Sequence, residues 1–426
     1  MIDAAVMRRA VMALLPALAA AISLFAGLVP TLLDYGRFEP LDWLVPGFIV
    51  LMAMRLARGP GHVCAACHWA LVALPPALVL WLATRVMPWP GFLLLATLLA
   101  AGAFALAMAR RRPWLAALIG TALFAALRLG AWMAHEDVVS APPAGRVAVM
   151  TALPLFQQAQ GKGGLLHGAG ERAPIMSALD AEWRANPIDV LDTAALGSTD
   201  RLLLAQPRLL APAELVALDD WVRQGGSVTI LADPLLRWPS SYPLGDARRP
   251  PFTSLLDPLM THWGLTLEPA SMGSGERRML ASGAMIELAG ASHFTAATGA
   301  PCSLAENGLI AYCRIGKGRA VLIADADWID DRLWTLAPAQ PRDRRRWTSD
   351  APAMLSALIR GDAQLPRPQS PWLVSQAVLI SALRWALGLI VLLTLALDRF
   401  AGAPRAPQGL TANIDRNFGP LPRDST

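Results

Sequence analysis

A chain of 426 residues has room for two or three domains, but 54% of it is hydrophobic and its mean hydropathy is +0.41, which excludes an ordinary soluble protein and a disordered one. The formal charge of +5 is almost all arginine, with Lys162 and Lys317 the two lysines. Arginines flank apolar runs, so the basic balance reads as membrane orientation, and nucleic acid is not an expected partner.

In chain order, the first elements are candidate spans at about Val11–Leu33, Leu41–Ala57, Trp69–Met87, Gly91–Ala109 and Pro113–Ala134, with a sixth at Val374–Leu397. Each approaches the ~20 apolar residues that a helix needs to cross a ~30 Å hydrocarbon core. Arg8/Arg9, Arg55/Arg58, Arg110–Arg112 and Arg399/Arg405 alternate with turns poorer in basic charge. The positive-inside rule then predicts cytoplasmic termini and an extracytoplasmic stretch over about 136–372. The sequence therefore predicts a multi-pass α-helical membrane protein of about six spans, with an inserted extracytoplasmic α/β domain built on a doubly wound, mostly parallel sheet. The expected divisions are a five-helix region (1–135), the α/β domain (140–370, core about 145–331), a C-terminal transmembrane helix (374–397) and a disordered cytoplasmic tail (400–426). A bacterial inner membrane is the expected location.

Between spans two and three, Cys64-Ala-Ala-Cys67-His68 reads as a c-type haem attachment signal. The arginine pattern places it on the cytoplasmic face, where haem is not attached. Four ligands within seven residues, His62 included, are also poorly placed to close a zinc tetrahedron. Reduced thiols at a helix entry are the expectation, and no cofactor is called for.

The soluble stretch begins with Arg146-Val-Ala-Val-Met-Thr as a buried strand, followed by the loop Gly161-Lys162-Gly163-Gly164 and a helix over about 174–185. Ile188–Asp192 reads as a second strand and Arg201–Pro207 as a third. In Pro212–Gln224, Leu215, Leu218, Trp221 and Val222 recur at helical spacing, and Gly225-Gly226 is the stop signal. Ser227–Pro234 is a fourth strand, and alternation of strands with helices implies a parallel α/β sheet. Further on, Ala284–Gly290 reads as a strand. Two more surround a tight turn at Gly316-Lys317-Gly318, and Asp350–Arg360 reads as a helix.

The run LLLAQPRLLAPAELVALDDWVRQGGSVTILADPLLRW, then SLLDPLMTHWGL and GKGRAVLIADADWIDD, resembles the Gldg family over about Gly145–Asp331. That family comprises auxiliary components of uncharacterised ABC-type transport systems, first named for gliding motility. The resemblance implies a soluble domain similar to the class I glutamine amidotransferase fold, with permease and ATPase subunits as partners.

An amidotransferase-like enzyme needs a cysteine nucleophile on a sharp turn after a strand. Neither Gln206-Pro207 nor Asp233-Pro234 supplies a thiol, and no Gly-x-Cys-x-Gly or Gly-x-Ser-x-Gly occurs. Cys302 and Cys313, in an oxidising compartment, are expected to pair in a disulfide rather than to act as nucleophiles. The loop Gly161–Gly164 lacks the full phosphate-loop spacing but lies where α/β sheets bind ligands. Asp325 and Asp327, with Asp330 and Asp331, follow a strand and could hold Ca²⁺ or Mg²⁺; more often, aspartates in that place cap the next helix or close Asx turns. Arg342-Asp-Arg-Arg-Arg-Trp347 is a basic run suited to lipid headgroups, a glycan or plain solvent. Arg128 and Arg384 interrupt spans five and six and are expected to snorkel or to meet a partner or anionic ligand. The functional expectation is a non-enzymatic membrane accessory subunit of an ABC-type transport system, with an outer ligand- or partner-binding domain. The alternative is a membrane-anchored extracytoplasmic hydrolase or metal-binding protein.

Overall fold

The computed structural model describes residues 4–39, 65–85, 145–156, 172–269, 275–290, 292–362 and 371–402, with isolated positions between 42 and 49 and at 122, 126, 129 and 365. The sheet is built by β1 (Gly145–Thr151), β2 (Trp183–Pro187), β3 (Arg201–Ala205), β4 (Ser227–Leu231), β9 (Cys302–Ala305), β10 (Ile310–Ile315) and β11 (Gly318–Ile323). They lie in the order β2-β1-β3-β4-β11-β10-β9. β2, β1, β3, β4 and β11 run parallel, and β10 and β9 complete the sheet antiparallel. β3 and β4 bury four consecutive residues each, as central parallel strands covered on both faces must. Two small antiparallel pairs lie outside the sheet: β5 (Leu265–Glu268) with β8 (His293–Ala296), and β6 (Glu276–Met279) with β7 (Met285–Leu288).

The amphipathic helix at Pro212–Gln224 covers β11, with Leu218 and Val222 inside. Its first turn is held by Glu214, which accepts from the Ala211 and Leu191 amides at 2.8 and 3.2 Å and pairs with Arg208 at 2.7 Å. The helix Ala351–Arg360 packs on β3 and β4. Its final carbonyls would otherwise lack donors. Arg201 donates to Ile359 O and Arg360 O at 2.7 and 2.8 Å, and Arg319 donates to Arg360 O at 2.5 Å.

The β10–β11 turn presses against the end of the Pro212–Gln224 helix. Gly316 has φ +58, and a Cβ on Gly318 would sit 2.0 Å from Val222 O, so backbone meets backbone there and a side chain has no room.

Two sequence expectations are corrected within the domain. The helix that begins at Pro174 ends at Leu179, and the second strand is Trp183–Pro187 rather than 188–192. Trp183 lacks the β-branched signature of a strand, yet it is buried and registered against Gly145. A Cβ on Gly145 would lie 2.5 Å from the Trp183 ring, so the glycine is what lets the indole close over β1.

The six-span bundle is also corrected. Among the described residues one helix, Gln376–Ala396 within Gln376–Gly402, is long and apolar enough to cross a membrane, by length and composition only. Ala4–Leu33 and Ala65–Thr84 are also helices, and the apolar runs over their described side chains are Ala17–Leu33 and Ala70–Thr84. Hydropathy alone does not separate a spanning helix from one packed in a small bundle, and these three helices do pack on one another through Leu24, Leu71, Leu80, Ala382 and Ala386. The stretches 50–57, 91–109 and 113–121 of the remaining expected spans, Arg128 and the 403–426 tail lie outside the described residues. What stands is an α/β domain on a seven-stranded mixed sheet, joined to helices at both of its ends.

The joint is specific. Arg37, after the first helix, forms an antiparallel bridge with Trp372, before the last. Phe38 N donates to Pro371 O at 2.8 Å and Leu373 N to Gly36 O at 2.7 Å. The Arg37 guanidinium donates to Arg344 O and Trp347 O at 3.0 and 2.7 Å, while Arg277 donates to Tyr35 O and Thr348 O at 2.6 and 3.1 Å. Both guanidinium groups lie over the Trp372 ring, at 5.0 and 5.6 Å from a ring centroid. Asp350 receives Trp372 Nε1 at 2.7 Å and the Met285 amide at 2.8 Å on one oxygen. Burial pushes the Asp350 carboxyl up to about 6 against those hydrogen bonds.

Candidate acidic site at the carboxyl edge of the sheet

Two adjacent parallel strands end in nearly the same way: Ile230-Leu231-Ala232-Asp233 on β4 and Leu322-Ile323-Ala324-Asp325 on β11. Leu231 is registered against Ile323, so the aspartates, each two residues further on, leave the sheet on the same side and next to one another. A short turn after β11 then brings Asp327 back beside them. Ligand oxygens of Asp233, Asp325 and Asp327 all lie within 4.8 Å of one another, and all three residues are buried. Open α/β sheets bind their ligands beyond the carboxyl ends of the strands.

Local hydrogen bonds fix each carboxylate. Asp233 accepts from the Leu235 amide at 2.7 Å and the Ala326 amide at 3.2 Å. Its own amide donates to Gln206 Oε1 at 2.9 Å, and Gln206 Nε2 donates to Asp233 O at 2.9 Å and Pro251 O at 3.1 Å. Gln206, fully buried with φ +44, is thereby the clamp between the ends of β3 and β4. Asp325 Oδ1 accepts from the Asp327 and Trp328 amides at 2.7 and 3.2 Å, and Asp327 Oδ2 accepts from the Arg237 amide at 2.8 Å. The other oxygens, Asp325 Oδ2 and Asp327 Oδ1, are buried and meet no donor.

The electrostatics follow from that placement. Burial first, then the neighbouring Asp233 and Asp327 charges, pushes Asp325 well above the ordinary carboxylate range. Asp327 is raised to about 7 by burial, with the Asp233 and Asp330 charges adding to it. Burial also raises Asp233, opposed by its backbone donors, a side-chain hydrogen bond shared with Asp327 and the Arg237 charge. Such a cluster can hold protons between carboxyl groups, or it can hold a cation with oxygen ligands.

Asp325 and Asp327 are thus brought together, and Asp233 is the partner missing from the sequence reading. Its signal was present in the repeated Ala-Asp ending of two strands that become neighbours. Asp330 turns away to Arg332, at 2.5 Å. Cys302 and Cys313 face each other across β9 and β10 and form a disulfide, so neither is a free thiol. Arg384 lies on an exposed face of the last helix. Gly161, Lys162, Gly163, Gly164 and Cys64 lie outside the described residues. The basic run at 342–347 is largely engaged: Arg345 pairs with Asp343 at 2.6 Å, Arg342 donates to Ser177 O at 3.0 Å, and the backbone of Arg344 and Trp347 receives Arg37.

No protein-family model matches the chain, and no curated protein matches it. Solved structures align with part of it at 10% identity: mmIFT52 N-terminal domain, over 47% of this chain and 92% of that one with a TM-score of 0.30; and Cytoplasmic Protein STM1381 from Salmonella typhimurium LT2, over 51% and 98% with a TM-score of 0.30. The exo-beta-1,4-mannosidase Op5Man5 from Opitutaceae bacterium strain TAV5 aligns at 10% identity over 48% of this chain and 35% of that one, with a TM-score of 0.27. Likenesses this distant carry no functional argument.

Proposed function

We propose that this chain is a non-enzymatic, membrane-attached accessory subunit of an ABC-type transport system, with its α/β domain outside the cytoplasm. The observation that carries the reading is the joint itself. The helix Gln376–Gly402 exposes Trp385 (67%) and Leu392 (66%), which suits lipid or the helices of a permease. Through Trp372 and Arg37 the same segment holds the domain in a set pose rather than on a free linker. A subunit that presents a binding surface to a membrane partner needs that fixed pose.

The side of the membrane is supported by two features. Arg399 falls in the last turns of the final helix and Arg405 follows it in the sequence, a basic flank that the positive-inside rule keeps in the cytoplasm. The Cys302–Cys313 disulfide belongs to an oxidising compartment. The transport assignment rests on the Gldg resemblance of residues about 145–331, and the non-enzymatic one on the engagement of both domain cysteines with each other.

The test is affinity purification of the tagged chain from native membranes, with identification of what co-purifies. A permease and an ATPase carrying a Walker A sequence in stoichiometric amounts are expected. Recovery of the folded chain with no transport subunit overturns the reading.

A further inference from the structure

We infer that the carboxyl edge of the sheet binds one hard divalent cation, of the calcium or magnesium class, between Asp233, Asp325 and Asp327. The inference stands independently of the transport reading.

Three observations converge. The first is geometric: the parallel register of β4 and β11 delivers two carboxylates side by side, and the following turn adds a third, with ligand oxygens within 4.8 Å of one another. Oxygens on opposite sides of one calcium ion lie roughly 5 Å apart, and those around magnesium about 4 Å, so an ion fits among them. The second is the unmet demand inside the cluster. Asp325 is 0% exposed, its Oδ1 is taken by two backbone amides, and its Oδ2 has no partner, as is true of Asp327 Oδ1. A buried acceptor left unmade costs about 1–3 kcal/mol, more when charged, and native interiors seldom leave two together. The third is charge. Three carboxylates lie together, with the Arg237 charge acting on Asp233 and the Arg332 charge, paired with Asp330, acting on Asp327. A dication would offset the mutual repulsion of the three carboxylates.

The donor set also selects the ion. Oxygen ligands alone favour calcium, magnesium or manganese over zinc or copper, which prefer thiolate and imidazole. In the bound state the ion would tie the end of β4, the end of β11 and the start of the loop at Arg237 into one unit. Asp330, held by Arg332, is outside that set.

The test uses the full chain in detergent, stripped with a chelator and titrated calorimetrically with calcium and, separately, magnesium at neutral pH, up to the millimolar range in which extracellular calcium modules bind. One ion per chain and a raised melting temperature are expected, and the tighter of the two identifies the ion. Asp325→Asn keeps an acceptor for the Asp327 and Trp328 amides and is expected to abolish binding, as is Asp233→Asn, whereas Asp330→Asn leaves the titration unchanged. A second readout survives any loss of stability in these variants. Terbium bound at the site should be sensitised by the buried Trp328 of the otherwise unaltered chain, and Trp328→Phe should lose that emission while calcium binding remains. Absence of heat and of any melting shift with both ions in the folded chain overturns the proposal and leaves a proton-sharing cluster. Binding that persists in both Asp233→Asn and Asp325→Asn overturns it equally, by placing the ion elsewhere.

Discussion

The joint between helices and domain and the carboxyl edge of the sheet are both buried, polar and built from distant segments, yet the charges in them are met by different kinds of partner. At the joint each guanidinium meets carbonyls and the Trp372 ring, with Arg277 Nε left without an acceptor, and Asp350 holds two donors on one oxygen. At the edge, three carboxylates crowd together with two oxygens unmatched. Interiors tolerate polar groups when partners replace water. Cations that meet carbonyls and a ring read as architecture, whereas like charges gathered at the ligand-binding end of an α/β sheet read as a candidate site.

Three measurements break or sharpen this contrast. The largest effect is expected from Trp372→Ala, which removes a fully buried ring, the platform under two arginines and a donor to Asp350. A loss of about 3–5 kcal/mol in denaturant unfolding is expected, and a loss below about 1 kcal/mol would mean that the joint is not structural. Next comes pH. With its folded value at about 6 against 3.8 ordinarily, Asp350 binds its proton more tightly folded than unfolded. Its contribution is fully present below pH 3.8 and is lost as pH rises through about 6. The gap corresponds to on the order of 3 kcal/mol. Asp350→Asn keeps the acceptor oxygen and should flatten this slope; an unchanged slope would assign it to other groups. The smallest effect belongs to Glu214, a carboxylate outside both regions. Its hydrogen bond with Arg208 holds it down to about 2 against burial, so its contribution is present above pH 4.5 and fades as pH falls through about 2. Glu214→Gln should cost about 1 kcal/mol at neutral pH, read as a small fall in the melting temperature.

Local patterns in the sequence carried the elements that depend on local patterns. The helix at Pro212–Gln224 has its apolar spacing and its glycine stop, and it forms over the residues expected. Trp183–Pro187 has no such pattern, because its strand character comes from the neighbour it pairs with. The expectation of six spans exceeds the one candidate span among the described residues, since hydropathy counts side chains without asking what covers them. At the site, Asp325 and Asp327 were visible as an acidic turn, whereas Asp233 needed the strand order to become their neighbour. The joint was invisible for a stronger reason: Arg37 and Trp347 are separated by 310 positions, and the bond is between a side chain and a backbone carbonyl.

The abutment of Gly318 on Val222 O reaches further than the turn it occupies. It acts as an end-stop on sliding of β11, since displacement along β4 would drive the hairpin into the helix cap. Because side chains alternate along a strand, a single-residue slip would swing Asp325 to the opposite face, away from Asp233. The chemistry available at one end of the sheet is therefore gauged by a hydrogen atom at the other, on a residue that carries no functional group.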